Sequence, residues 1–202
     1  MLNQLPTWEK LAKQIIWQQI GKLKGKTILD FGSGTGITAD HFVADNKVIA
    51  IEPSEDLLAQ QVITNSYRQI VGSIDELKNL PSNSFDYIFC HNVLEYADDR
   101  EIIVGEFYRL MKKNGKLSIV KHNRNGRVMQ MVVLLNNFDE AKISSTVKTA
   151  TLNSSAQSIT MMTAIFQIGA AGLFCSNFMA CVPFGIYSII KRSKKMRNGR
   201  KR

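Results

Sequence analysis

Five short apolar runs, separated by stretches of helical character, recur between Thr27 and His122. In chain order the runs are TILDFG, KVIAIEP, RQIVG, FDYIFCH and GKLSIVKH. Helices are predicted between or after them over 37–44, 54–64, 98–112 and about 127–136. Short buried strands that alternate with helices favour a parallel sheet covered on both faces. Right-handed crossovers then give a doubly wound, Rossmann-like α/β fold, with ligands at the carboxyl ends of the strands.

A glycine-rich loop, LDFGSGTG, joins the first apolar run to the first helical stretch. Gly32, Gly34 and Gly36 permit a left-handed backbone and a close approach to a ligand. Their spacing is not the G-x-G-x-x-G of dinucleotide sites, and no Lys-Ser/Thr follows as it does in phosphate loops. Asp30, just before the loop, would repel a pyrophosphate and suits a cationic ligand. A purely structural turn is the alternative.

A second acid, Glu52, ends the second apolar run. It lies about 20 residues after the loop, where nucleoside-binding doubly wound folds place a carboxylate that binds ribose hydroxyls. A solvated acid at a strand end is the alternative interpretation. The loop and the spaced acid together favour a nucleoside site over a dehydrogenase-like one, because Asp30 and the glycine spacing do not suit a pyrophosphate.

Four segments in register resemble the successive motifs of class I S-adenosylmethionine-dependent methyltransferases: ILDFGSGTG, AIEPSEDLL, FDYIFCHNVLEY and LMKKNGKLSIV. The resemblance covers Thr27–Val120 and implies S-adenosylmethionine as the cofactor, with Asp30 at its ammonium group and Glu52 at its ribose. Ser73 stands where the family commonly has an acid beside the adenine. The implied cofactor-binding residues are Asp30, Gly32, Ser33, Gly34, Gly36, Glu52, Pro53, Ser73, Ile74 and His91, and no metal is expected.

His91 and Asn92 match the end of the fourth strand, which in the family faces the reactive methyl group. His91 is the candidate catalytic base, and a structural histidine at a strand end is the alternative. A carboxylate acceptor is already ionised at neutral pH and needs no base.

A narrower resemblance follows the fifth strand, in LSIVKHNRNGRVMQMVVLLNNFDEA. This segment is similar to that of the bacterial CmoM-type methyltransferases, which esterify the carboxylate of 5-carboxymethoxyuridine in the tRNA wobble position. It implies a tRNA partner, with substrate contacts from Asn92, Asn123, Arg124 and Arg127. A solvated polar loop is the alternative for the last three. Cys90, Cys175 and Cys181 have no metal-binding spacing, so we expect a reduced, cytoplasmic protein.

The net charge of +9 comes from the last third of the chain. Residues 1–140 carry 16 Lys/Arg and 17 Asp/Glu, whereas residues 141–202 carry 10 Lys/Arg and no acid. The apolar stretch 164–190 precedes the basic stretch 191–202, a pattern typical of a membrane anchor with a basic flank. The charge therefore does not indicate a nucleic-acid-binding surface on the first 140 residues.

A shifted reading frame is a second explanation for residues 141–202. Read one nucleotide earlier, the codons of Met161, Met162 and Thr163 contain Asp-Asp, and neighbouring codons can yield a polar, aromatic sequence similar to the close of the CmoM-type family.

We expect a methyltransferase domain over 1–140, with an N-terminal helix in 1–24, a core over 27–120 and a non-family tail. The sheet would lack its last two strands, which would impair activity. An inactive remnant or a protein anchored through 164–190 is the alternative.

The N-terminal segment is predicted to form an amphipathic helix. Trp8, Leu11 and Ile15 recur at helical spacing and are expected to share the apolar face, with Ile16 as a further candidate.

Overall fold

The computed structural model describes residues 5–61 and 64–122, positions 128, 132, 136–139 and 142, and the backbones of 161–169 and 172–179. Within these ranges the elements alternate as the apolar runs predict. They are α1 (Thr7–Ile20), β1 (Thr27–Phe31), α2 (Ile37–Val43), β2 (Lys47–Glu52), α3 (Glu55–Ala59), β3 (Arg68–Val71), α4 (Ile74–Lys78), β4 (Phe85–His91), α5 (Arg100–Leu110), β5 (Met111–His122), β6 (Met161–Gly169) and β7 (Gly172–Met179).

The described strands form one sheet in the order β3-β2-β1-β4-β5-β6-β7. The first five strands are parallel, which confirms the predicted doubly wound α/β fold. Chain order reverses between β1 and β4, which are hydrogen-bonded neighbours. In such a sheet the crevice at the carboxyl ends of these two strands is the ligand site.

The expectation that the sheet lacks its last two strands is wrong for this structure. β6 pairs antiparallel with β5, and β7 pairs antiparallel with β6. The sequence reason is local: both segments are apolar, and between them they contain strand-forming Thr, Ile and Phe residues. The unpaired edge of β5 supplies the hydrogen-bonding partner. No helix among the described residues is long and apolar enough to cross a membrane.

Side chains from both faces of the sheet are buried in separate clusters. Leu29 of β1 packs with Phe85 and Phe107 in the cluster beneath α4 and α5. Ile28, its neighbour, packs with Phe42 and Phe89 in the cluster beneath α1 and α2. Because successive strand residues point to opposite faces, this alternation buries β1 from Ile28 to Phe31 and fixes where its carboxyl end lies.

The buried face of α1 agrees with the predicted one at Ile16 and differs at Leu11 and Ile15. Leu11 and Ile15 are 55% and 39% exposed, whereas Ile16, Trp17 and Ile20 are buried. The spacing of these three residues also fits one helical face, so periodicity alone did not decide between the two. The face that packs on the sheet is the one that carries Trp17.

Candidate functional site

The loop after β1 is the first part of the site, and its glycines adopt a left-handed backbone. Gly32 has a φ of 76° and Gly36 a φ of 78°. A Cβ at Gly32 would collide with the Val93 side chain, and one at Gly36 with the Tyr67 hydroxyl. The Gly32 amide donates a hydrogen bond of 2.8 Å to the carbonyl of Ile51, which ties the loop to β2. Glycine is therefore required here by conformation and by space.

Glu52 ends β2 beside this loop, as the sequence predicted. Its Oε2 accepts a 2.8 Å hydrogen bond from the Gly34 amide, and its Oε1 accepts one of 3.0 Å from the Ser54 amide. The side chain is buried. Each carboxylate oxygen has a further lone pair, so the held carboxylate can still accept hydrogen bonds from a ligand hydroxyl.

Asp30 lies in the last part of β1 and is 2% exposed. Its Oδ2 has no hydrogen-bond partner among the described residues. Burial raises the pKa of Asp30 to about 7, while the nearby Lys13 and the Ala39 amide act in the opposite direction. A cationic ligand group at Oδ2 would restore the ionised form and satisfy the oxygen.

Lys13 of α1 lines the candidate site, although the sequence did not single it out. Its Nζ lies 3.5 Å from the Thr38 Oγ1 at the start of α2. Burial lowers the pKa of Lys13, whereas Asp30 and Glu9 raise it. Helical spacing gave no signal for it, because a lysine on a helix is ordinarily solvated.

A small cavity of about 40 Å³ lies between α1 and the end of β4. Its lining includes Glu9, Lys13, Trp17, Thr38, His91 and Asn92. Trp17 stacks on His41 of α2 with the ring centroids 3.7 Å apart, which holds α1 over the sheet. The cavity has room for about three water molecules. It is therefore much smaller than a nucleoside.

His91 ends β4 and faces this cavity with Asn92. Its Nε2 lies 3.0 Å from the Ser118 Oγ on β5. Burial and the charge of Lys13 lower the pKa of His91 to about 3, so the imidazole is neutral at physiological pH. Asn92 has a φ of 57°, and its buried Oδ1 has no partner in the described part of the chain.

The remaining predicted residues divide into three groups. Ser33 lies in the loop with its Oγ buried and lacking a described partner. Pro53 and Ser73 are exposed at the strand ends, while Ile74 packs against the core. Asn123, Arg124 and Arg127 lie outside the described residues. Among described residues, no cluster of three His, Cys, Asp or Glu side chains could hold a metal ion.

Part of the chain is similar to a known family of protein domains. The family described as "Methyltransferase domain" matches residues 29–119, which span β1 to β5. Residues 29–119 are therefore similar to a methyltransferase domain. This confirms the broader resemblance inferred from the motifs, and the cofactor that this family implies is S-adenosylmethionine.

Individual relatives match at lower coverage. The ubiquinone biosynthesis O-methyltransferase of Acinetobacter baumannii (strain AYE) is 31% identical over 117 residues, covering 54% of this chain and 48% of its own. That of Sodalis glossinidius is 27% identical over 132 residues, covering 61% of this chain and 52% of its own. The chain thus spans about half the length of the curated relatives it matches. Neither name is that of a tRNA carboxyl methyltransferase, so the narrower resemblance stays a prediction.

A solved structure shares the fold. An S-adenosylmethionine-dependent methyltransferase from Mesorhizobium loti superposes with a TM-score of 0.51 at 19% identity, covering 62% of this chain and 57% of its own. This likeness supports the architecture of the methyltransferase domain and leaves the chemistry to the site residues.

The residues present fit the implied cofactor. Asp30 offers a buried, unsatisfied oxygen to a cation, and Glu52 offers a fixed carboxylate to ribose hydroxyls. A Cβ at Gly34 would meet no neighbouring atom, so the loop is open at that position. The methyltransferase domain therefore retains the features that hold S-adenosylmethionine.

Proposed function

We propose that this chain catalyses S-adenosylmethionine-dependent methylation of an acceptor oxygen, and that the acceptor is a carboxylate on a tRNA wobble uridine. The observation that carries the proposal is the position of Lys13, His91 and Asn92 around one cavity beside Asp30. Asp30 would hold the ammonium group of the cofactor and Glu52 its ribose. S-adenosylmethionine would supply an electrophilic methyl group on a positively charged sulfur.

The residues of the chain would then orient the acceptor and keep the site dry. The Lys13 ammonium offers a cation to an anionic oxygen, and α1 excludes water from the end of β4. Support for a tRNA carboxylate comes from the segment after β5, with Asn123, Arg124 and Arg127 as proposed contacts. We also propose a cytoplasmic location, since the tRNA would be there.

A second acceptor class has support from the names of the relatives. Ubiquinone biosynthesis O-methyltransferases act, by name, on an oxygen of a ubiquinone precursor, so a neutral hydroxyl acceptor is the alternative. A hydroxyl must lose its proton during transfer, whereas a carboxylate has none to lose. His91 would therefore have to act as a base for a hydroxyl acceptor, but not for a carboxylate acceptor.

The products distinguish these acceptors. Tritiated S-adenosylmethionine is incubated with the chain and with bulk tRNA whose wobble-uridine carboxylates are unmethylated. We expect incorporated label that mild alkali releases as volatile methanol, because carboxyl esters hydrolyse and methyl ethers do not. The Asp30→Asn variant is the control and should incorporate far less label at the same cofactor concentration. Label that resists alkali, or label entering only a phenolic ubiquinone precursor, would contradict the carboxylate proposal.

We further propose that residues 141–202 are encoded in a shifted frame and that they lower the activity of the domain. The coding DNA around codon 141 tests the first point: a one-base change should reopen a family-like frame. A frame-restored protein tests the second and should methylate faster than this chain. Equal rates would contradict impairment and would favour β6 and β7 as a functional end of the sheet.

A further inference from the structure

The hydrogen bond between His91 and Ser118 has no part in the mechanism so far. Ser118 lies on β5 in register with Phe89, two residues before His91 on β4. Its side chain is buried, and its Oγ lies 3.0 Å from the His91 Nε2. The pair joins two central strands directly behind the cavity, so it controls which ring nitrogen a ligand meets.

The direction of this hydrogen bond follows because the buried Ser118 hydroxyl proton requires an acceptor. The Ser118 hydroxyl has one proton, and His91 is its only hydrogen-bond partner among the residues that the structure describes. If Nε2 carried the ring proton, the Ser118 Oγ would accept it and the hydroxyl proton would be buried without an acceptor. Buried donors without acceptors are rare and costly. The hydroxyl therefore donates to Nε2, and the proton of the neutral ring is on Nδ1.

We infer that Ser118 is a positioning residue that holds His91 in the Nδ1–H tautomer, so that His91 offers the acceptor a hydrogen-bond donor and not a base. This inference rests on the proposed function and narrows it to acceptors that arrive as an oxyanion. The carboxylate oxygen forms the new carbon–oxygen bond while the bond from methyl carbon to sulfur breaks and its electron pair stays on sulfur. The carboxylate loses no proton in this step, so the reaction needs no base, and His91 can act as a hydrogen-bond donor.

The tautomer can be measured without any methyl transfer. The full chain is labelled with ¹⁵N-histidine, and the long-range ¹H–¹⁵N spectrum assigns each ring, with His91→Asn identifying the His91 signals. We expect the protonated-nitrogen shift at Nδ1 and the bare-nitrogen shift at Nε2. Ser118→Ala should give a mixture of tautomers, and Ser118→Thr should restore the single one. A wild-type His91 protonated at Nε2 would overturn the inference.

Replacement of the ring separates donor from base. Asparagine can place its amide N–H close to the position of Nδ1 but cannot accept a proton, and alanine does neither. With the tRNA substrate we expect His91→Asn to keep kcat within about tenfold of wild type and His91→Ala to lose about 100-fold, the lower end of the range for acid–base groups. Equal losses in the two variants would show that His91 acts as a base and would overturn the inference.

The proposed function and this inference fail in different experiments. If no tRNA methylation occurs while the spectrum shows the Nδ1–H tautomer, the acceptor is wrong and the assigned role of Ser118 stands. If methylation occurs and His91 is protonated at Nε2, the acceptor stands and the role of Ser118 is wrong.

Discussion

Two halves of the candidate site are built from different parts of the polypeptide. At the ends of β1 and β2 the backbone forms the site: left-handed glycines approach closely, and amides of Gly34 and Ser54 fix the Glu52 carboxylate. Under α1 and at the end of β4 side chains form it: Lys13, His91 and Ser118 come from three separate elements. The first half is suited to bind a nucleoside, and the second is suited to orient an acceptor.

This difference teaches where tolerance to substitution should lie. A backbone cradle is sensitive to any added side chain, whereas a side-chain cluster is sensitive to charge and hydrogen bonding. Asp30, buried near the end of β1, lies between the halves and interacts electrostatically with both Lys13 and Glu52. Changes at Asp30 should therefore have the largest effect.

The variant Asp30→Asn removes the charge at this junction while keeping the shape of the side chain. Hydrogen bonds to charged groups contribute about 1.5–3 kcal/mol, so we expect S-adenosylmethionine to bind about 100-fold more weakly. Calorimetric titration of the full chain measures this. Asp45→Asn, an exposed acid after α2, is the matched control and should bind as wild type does. Unchanged affinity in Asp30→Asn would remove Asp30 from the site.

Lys13→Met tests the side-chain half alone, since methionine keeps much of the length of the side chain without its charge. We expect kcat/KM for the tRNA carboxylate to fall about tenfold, because the variant loses the ion pair between the Lys13 ammonium and the substrate carboxylate. Lys10→Met, one helical turn away, is the control. Methylation of a phenolic acceptor should not fall, and an equal fall for both acceptors would argue that Lys13 binds no carboxylate.

The pH dependence of cofactor binding sharpens the role of Asp30. Its pKa of about 7 means that the free protein carries a proton there below pH 7, which an ammonium group must displace. Binding should therefore weaken as pH falls through 7, by up to about tenfold per unit, and level off above it. Lys13→Met should shift this transition to higher pH, because Lys13 lowers the pKa of Asp30. A profile that is flat from pH 5.5 to 8 would contradict this.

The smallest effects are expected from glycines of the backbone half. Gly34→Ala meets no neighbouring atom and should cost about 1 kcal/mol from its left-handed backbone alone, as should Gly25→Ala outside the site. Gly32→Ala adds a collision with Val93 and should cost more. Urea denaturation measures the three differences. If Gly32→Ala were no costlier than Gly25→Ala, space would not explain why this loop needs glycine.

The sequence predicted the backbone half because its signals are local. Spaced glycines, Asp30 and Glu52 stand in one continuous strand–loop–helix–strand segment, and the same periodicity predicted the five parallel strands. It did not predict Lys13 or Ser118. A lysine in a helix and a serine in a strand are common, and the position of these two beside His91 depends on how α1 and β5 pack against β4. The apolar face of α1 was assigned to Leu11 and Ile15 for a related reason: two helical faces satisfied the same spacing.

The end of the sheet shows a second limit. The apolar composition of residues 161–179 is compatible with a membrane anchor and with a pair of strands. The strands β6 and β7 form because the edge of β5 is available for pairing. The composition of residues 161–179 cannot predict this pairing, because the edge of β5 comes from a distant part of the chain. Whether the residues after Glu140 are read in their proper frame remains a separate proposal, which the coding DNA tests.

The most direct test of the account is an amide NMR titration of the full chain with S-adenosylmethionine. Signals of Gly32–Gly36 and of residues 9–17 in α1 should shift together with one dissociation constant, because a ligand bound at the glycine loop also reaches Asp30, which interacts electrostatically with Lys13 of α1. Shifts confined to one half, or none in a folded protein, would contradict it.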